Sequence, residues 1–198
     1  MISHLHRAVF VPVPKTAGKT VLALFGLPIL GKDYDGSRRH LEMPYGHRRL
    51  SELCARPGTA GYLRFAFVRN PWDRLLSALA YLDAGGCNPV DAAYREKHLA
   101  VYGGDFRRFV RNLLRHLDHM HFRPQAHWLD GEVDMLGRQE SFEADMRAVA
   151  ARIGLAVDSV PRLNASRRGA YRDSYSAETR DLAAAAYAED IARRGDAF

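Results

Sequence analysis

Apolar positions along the chain fall into short runs separated by longer stretches of helical period. "YLRFAFV" (62–68) reads as a strand interrupted by Arg64, and "AVFVPV" (8–13) is β-rich and apolar throughout. Strands buried on both faces of a parallel sheet have that pattern. "EVDMLGR" (132–138) reads as a third strand. Helices are predicted from Thr20 to about Gly26, in "HRRLSELCAR" (47–56) stopped by Pro57-Gly58, and in "WDRLLSALAYL" (72–82) behind Pro71. Further helices follow in "DFRRFVRNLLRHL" (105–117), "SFEADMRAVAARIGL" (141–155) and "SAETRDLAAAAYAEDIARR" (176–194). Ser176 is read as the cap of the last one, without a capping box, because Thr179 stands where Glu or Gln is usual. Residues 27–46, 84–103 and 156–175 read as irregular or loop segments. Strands alternating with helices predict an α/β fold layered around a central parallel sheet flanked by helices.

A chain of 198 residues suits a single domain, 1–198, with a core that needs no disulfides. The net charge of +6 is unusual in its makeup: of 29 basic residues only Lys15, Lys19, Lys32 and Lys97 are lysines. The arginines come as scattered pairs with no long run or tail, which favours anionic ligands on a folded surface over a nucleic-acid arm. Cys54 and Cys87 lack metal or redox spacing and read as buried or partly buried thiols of a reducing compartment. The apolar run near the N-terminus is too short for a signal peptide or a membrane span, so the expected location is cytoplasmic.

The first strand runs into "PKTAGKT" (14–20), whose last three residues also end the nucleotide-binding P-loop. That loop requires a glycine where this chain has Val13, followed by Pro14, and a β-branched residue before proline resists the curl around a β-phosphate. The second strand ends in Arg69, where a magnesium-binding nucleotide triphosphatase often places Asp. A kinase or triphosphatase with an aberrant P-loop is therefore the weaker reading. A strand, a loop with small Ala17 and Gly18, and a helix N-terminus suit one phosphate group beside Lys15. In "FAFVRNPWDRLLSALAYL", Arg69 and Ser77 could converge on a second phosphate. An ion pair of Arg69 with Asp73 and a packed Ser77 hydroxyl are the alternatives.

Together "VPVPKTAGKT" and "FAFVRNPWDRLLSALAYL" resemble the carbohydrate-type sulfotransferases (sulfotransferase family 2) that use 3′-phosphoadenosine 5′-phosphosulfate. "HFRPQAHWL", "VDMLGRQESFEADM", "LNASRRGAYRDSY" and "YAEDI" continue the resemblance in order, so that it covers nearly the whole chain. It implies a P-loop-like three-layer fold and transfer of a sulfuryl group to a hydroxyl of a carbohydrate or glycoconjugate, with no metal required. By the same resemblance Lys15 sits near the oxygen bridging phosphate and sulfur. Thr16, Ala17, Gly18, Lys19 and Thr20 line that group largely through backbone N–H. Arg69 and Ser77 hold the 3′-phosphate, and the loop from Asn164, with Arg167 or Arg168, closes over the nucleotide. Lys19 departs from the family's small or hydroxyl residue and is read as added charge at the sulfuryl group, with a solvent-facing lysine as the alternative. A non-catalytic nucleotide- or glycan-binding relative is the second rival. A homodimer through an edge strand or the closing helix is also open.

An alcohol acceptor must lose its proton, and a base of near-neutral pKa suits that. His47 lies where the family often has its histidine and is the first candidate, followed by His40, Glu42 and Glu52. His119, His121 and His127 have no clear ligand spacing and are read as cleft or surface histidines rather than a zinc site. Gln125 is read as supporting the cleft or as a purely structural hydrogen-bonding residue. Tyr45, Trp72, Tyr94, Tyr102 and Trp128 are read first as packing, with stacking on sugar or adenine as the alternative.

Overall fold

The computed structural model describes residues 1–27, 40–42, 46–160 and 169–198. The chain divides into two compact units, Met1–Arg69 with Gln125–Ala165, and Asn70–Pro124 with Ser166–Phe198.

The first unit holds a five-stranded sheet. Its strands are β1 (Ile2–Ser3), β2 (Ala8–Val11), β3 (Leu41–Glu42), β4 (Leu63–Val68) and β5 (Met135–Arg138), in the order β3-β1-β2-β4-β5. The three strands expected from the apolar runs are mutually parallel, with Phe10 opposite Phe65 and Phe65 opposite Met135. The expectation of a wholly parallel sheet is corrected: β1 pairs antiparallel with β2 and with β3, which makes the sheet mixed. The first connection is a tight turn within residues 4–7, and so short a link can only return the chain antiparallel. Every residue of β2 is buried, so this strand is covered on both faces. On one face Ala8, Phe10, Phe65 and Phe67 pack against Val21 of α1 (Gly18–Leu24) and Phe25 just past its end. The same cluster takes in Met146, Val149, Ala150 and Ile153, which come three, one and three residues apart in the helical register of a later helix, Phe142–Ile153. α2 (Leu50–Cys54) packs against β2. Gly137 of β5 is required by packing, because a Cβ there would lie 2.5 Å from the Phe67 ring.

The second unit is helical. Asn70 caps α3 (Pro71–Asp83) by accepting from the amides of Trp72 and Asp73, and Pro71 occupies the first position, where no N–H is needed. Residues 84–103, expected as loop, are largely helical. α4 (Pro89–Tyr94) passes into a single π-helical turn, Arg95–Leu99, and a 3₁₀ turn, Ala100–Tyr102. The Asn88 side chain caps α4, a start signal overlooked beside the neighbouring glycines. α5 (Phe106–Val110) is followed by a 3₁₀ turn, Leu113–His116, where one longer helix was expected. The short helix α6 (Gln125–Trp128) and the helix already described at Phe142–Ile153, α7, return the chain to the first unit. The closing helix is two helices, α8 (Ala177–Ala186) and α9 (Ala188–Arg194), broken at Tyr187. The hydroxyl of this buried tyrosine donates to the Phe122 carbonyl at 2.7 Å. Ser176 and Thr179 do form a reciprocal capping box, because the Thr179 hydroxyl accepts the Ser176 amide at 2.9 Å just as a Glu or Gln side chain would. Cys54 and Cys87 are both exposed free thiols, against the expected burial.

Candidate functional site

Parallel pairing of β2 with β4 brings their carboxyl ends to one edge of the sheet, with Val11 beside Ala66. The loop after β2 and Arg69 after β4 therefore emerge side by side. In open α/β sheets that edge is where ligands bind.

The loop is held in an unusual shape. Lys15 has φ 69° and Ala17 φ 65°, two non-glycine residues in the left-handed region within three positions. Each costs about 1 kcal/mol relative to ordinary backbone. Thr16 lies buried between them, its hydroxyl donating to the Val13 carbonyl at 2.9 Å, so that side chain ties the loop together. Among the described residues, the backbone amides of Ala17, Gly18 and Lys19 donate to no protein acceptor. Alternating backbone handedness with neighbouring amides left open is the geometry of an anion-binding concavity. Thr20 is different: it is buried and its amide donates to the Ala17 carbonyl at 2.9 Å, so its backbone N–H is already engaged within the first turn of α1. Lys15 and Lys19 are half-buried.

Arg69 and His47 reach this loop. The Arg69 guanidinium donates to the Lys15 carbonyl at 3.5 Å, a long bond. His47, just ahead of α2, donates from Nδ1 to the Pro12 carbonyl, and its ring packs against Trp128 with centroids 5.7 Å apart. A carbonyl acceptor requires the proton on Nδ1, which leaves the lone pair of the neutral ring on Nε2. The two acidic candidates have side-chain partners of their own. Glu42 accepts from His4 at 2.8 Å and from Arg56 at 2.6 Å, and the His4 hydrogen bond holds its carboxyl below the usual range. Glu52 accepts the Arg49 amide at 2.7 Å at the start of α2. His40 lies next to β3.

Three side chains on or just past α6 organise this region of the first unit. Gln125 is fully buried and hydrogen-bonds both backbone groups of Arg69. Trp128 packs on His47. Asp130 accepts from the Ser51 amide at 3.0 Å and pairs with Arg49 at 2.7 Å, pinning the start of α2. Trp128 reads from the sequence only as packing or stacking, and the role of Asp130 carries no local sequence signal.

Ser77 lies in the second unit, half-buried on the second turn of α3. Asn164, Arg167, Arg168 and Tyr45 lie outside the described residues. Trp72 and Tyr102 are core residues of the second unit, with Tyr94 packed against them. His121 is buried there rather than exposed or cleft-lining, 3.6 Å from Asp91. His127 belongs to the first unit and is no part of that group. No set of three or more His, Cys, Asp or Glu among the described residues is arranged to hold a metal ion. No helix among them is long and apolar enough to cross a membrane.

The mixed sheet, flanked by helices, brings open loop amides, a lysine and an arginine together at the carboxyl ends of its parallel strands. A Sulfotransferase family model matches residues 1–193, and the chain belongs to that family. It is a transferase of the sulfotransfer class. No curated protein and no solved structure matches the chain.

Proposed function

We propose that the protein transfers a sulfuryl group from 3′-phosphoadenosine 5′-phosphosulfate to a hydroxyl of a carbohydrate or glycoconjugate. The observation that carries this reading is the loop of residues 12–19: its amides at Ala17, Gly18 and Lys19 are open, while Arg69 and His47 both bond to its carbonyls. One short segment thus meets a donor-binding cation and a proton acceptor. In the reaction the acceptor oxygen bonds to sulfur as the bond from sulfur to the 5′-phosphate oxygen breaks, and the electron pair stays on that oxygen. The loop amides and the Lys15 ammonium balance the charge that builds there, so the leaving group needs no proton. Nε2 of His47 takes the proton of the acceptor hydroxyl. Arg69 and Ser77 hold the 3′-phosphate, and the segment carrying Asn164, Arg167 and Arg168 supplies further contacts to the nucleotide. A single family match over 1–193 supports treating both units as one sulfotransferase domain with a P-loop-like layered fold. The arginine-rich surface favours an anionic donor or an acidic glycan.

Calorimetric binding of 3′-phosphoadenosine 5′-phosphate, against ATP with magnesium, tests the donor. The expected result is tight, metal-independent binding that needs both phosphates. Preference for ATP with magnesium would return the loop to the nucleotide triphosphatase reading. Turnover with hydroxyl acceptors then separates an enzyme from a binding protein.

A further inference from the structure

Regular backbone pairing stops one residue short of Arg69. The β4–β5 ladder ends with Val68 opposite Arg138, and α3 begins at Pro71. Arg69 therefore lies between two elements, in the kind of position where a backbone ordinarily loosens. The side chain of Gln125 takes over where the ladder ends: Oε1 accepts the Arg69 N–H at 3.0 Å, and Nε2 donates to the Arg69 carbonyl at 2.8 Å. Both partners belong to the first unit, and Gln125 is completely buried. A primary amide is the side chain that can do this, since it presents one acceptor and one donor in a plane, as a neighbouring peptide group does. Glutamate would face the Arg69 carbonyl with a second acceptor. Leucine would leave both backbone groups without their partner.

We propose that Gln125 is a positioning residue for sulfuryl transfer. By bracketing the backbone of Arg69 it fixes the direction in which the guanidinium leaves the strand end, toward the Lys15 carbonyl. The arm for the 3′-phosphate and the loop for the 5′-phosphosulfate are then in register before the donor arrives. The nucleotide consequence rests on the reading of Arg69 as the 3′-phosphate ligand; the positioning itself does not. Gln125 thereby acts on one phosphate of the donor through a residue it touches only at the backbone.

The test uses the full chain with Gln125→Leu, and Gln125→Glu as a second variant that keeps the acceptor for the Arg69 amide. Without ligand, nitrogen-15 relaxation of the Arg69 side-chain Nε–H should report a more mobile guanidinium in Gln125→Leu than in wild type. Unchanged relaxation overturns the positioning claim whatever Arg69 binds. With ligand, affinities are compared for 3′-phosphoadenosine 5′-phosphate and for AMP, which lacks the 3′-phosphate. Gln125→Leu should weaken the bisphosphate about tenfold and AMP less than twofold, Gln125→Glu should fall between, and adding Gln125→Leu to Arg69→Ala should cost nothing further. Equal losses for both nucleotides, or additive losses in the double variant, overturn the proposal as a merely structural effect. An unaltered ratio in Arg69→Ala alone would sink the 3′-phosphate reading instead, and the relaxation result would still decide the positioning.

Discussion

The imidazole of His47 donates from Nδ1 to the carbonyl of Pro12, where β2 gives way to the loop. This one bond has two consequences: it anchors the loop and sets the tautomer that carries a lone pair on Nε2. Substitutions separate them. In His47→Asn the side-chain amide can still donate toward Pro12 but has no proton acceptor at the Nε2 position. It should keep donor affinity and lose about 10²–10⁴-fold in kcat. His47→Ala should lose the same kcat and some donor affinity as well. Wild-type turnover in His47→Asn would reduce His47 to an anchor.

Lys15 is argued to act through its ammonium, although its backbone is also unusual. Lys15→Ala keeps the Cβ and the left-handed conformation, so the melting temperature should be unchanged. Transfer should fall by roughly 10²–10³, the scale for losing one group that stabilises developing negative charge. Single-turnover kinetics at saturating donor measure this directly. A variant within threefold of wild type would remove Lys15 from the chemistry.

Gly18 tests whether the donor approaches the loop backbone. A Cβ added there would meet Phe10 at 3.9 Å, an ordinary contact, and Gly18 has no positive φ. The fold therefore has room for alanine, and Gly18→Ala should melt at the same temperature or slightly higher, by up to about 1 kcal/mol. The added methyl nonetheless stands beside the open amides of Ala17 and Lys19, and affinity for 3′-phosphoadenosine 5′-phosphate should fall about tenfold, or 1.4 kcal/mol. Undiminished affinity in a folded Gly18→Ala would mean that no phosphate comes that close.

The readable parts of the chain are those whose physics is local. β2 and β4 are visible as apolar runs because both faces are buried, and Asn70-Pro71 marks the start of α3 by capping chemistry alone. The loop and Arg69 are legible for the same reason, since each sits at the end of such a strand. The two-residue strands β1 and β3 are too short to carry a period, so the mixed character of the sheet is invisible. The helical turns between 89 and 102 hide behind glycine pairs on either side. One of these glycines is structural: a Cβ on Gly86 would lie 2.2 Å from that of Asp91. The supports of the site are long-range. Gln125 meets Arg69 across 56 positions and His47 meets Pro12 across 35, distances at which one sequence carries no signal.

Arg74 shows the same limit in the second unit. It is completely buried, donating to the carbonyls of His121 at 3.1 Å and Arg123 at 2.7 Å, with its guanidinium 5.3 Å from the centre of the Tyr187 ring. No carboxylate pairs with it among the described residues. Arg74→Met should cost about 3 kcal/mol, because two buried carbonyls lose their donors. Arg74→Lys should not restore the loss, since an ammonium lacks the planar fork that spans both carbonyls. Urea denaturation decides, and a change under about 0.5 kcal/mol in either variant would show that the fork is dispensable.

A histidine cluster in the second unit makes stability depend on pH. Burial pushes His119 down to about 4, and the neighbouring His121, with ring centroids 5.4 Å apart, acts in the same direction while Asp91 opposes it. Burial also lowers His116, whose ring nitrogens lie 2.8 Å from the hydroxyls of Tyr94 and Tyr102, with His98 and Arg115 adding to the shift. Between the ordinary value of 6.5 and about 4 the unfolded chain binds more protons than the folded one at His119. Stability is then fully present above 6.5, declines as pH falls through that window, and levels off below 4 for this residue. Since His119 is only half-buried, its share is on the order of 1 kcal/mol after allowance for solvent screening. His119→Phe can keep the stack on Tyr94, where the present ring centroids lie 3.8 Å apart, and removes the titration. Urea midpoints from neutral pH down to the acid end of the window should fall more gently in that variant than in wild type. Equal slopes would mean that the proton uptake resides elsewhere in the chain.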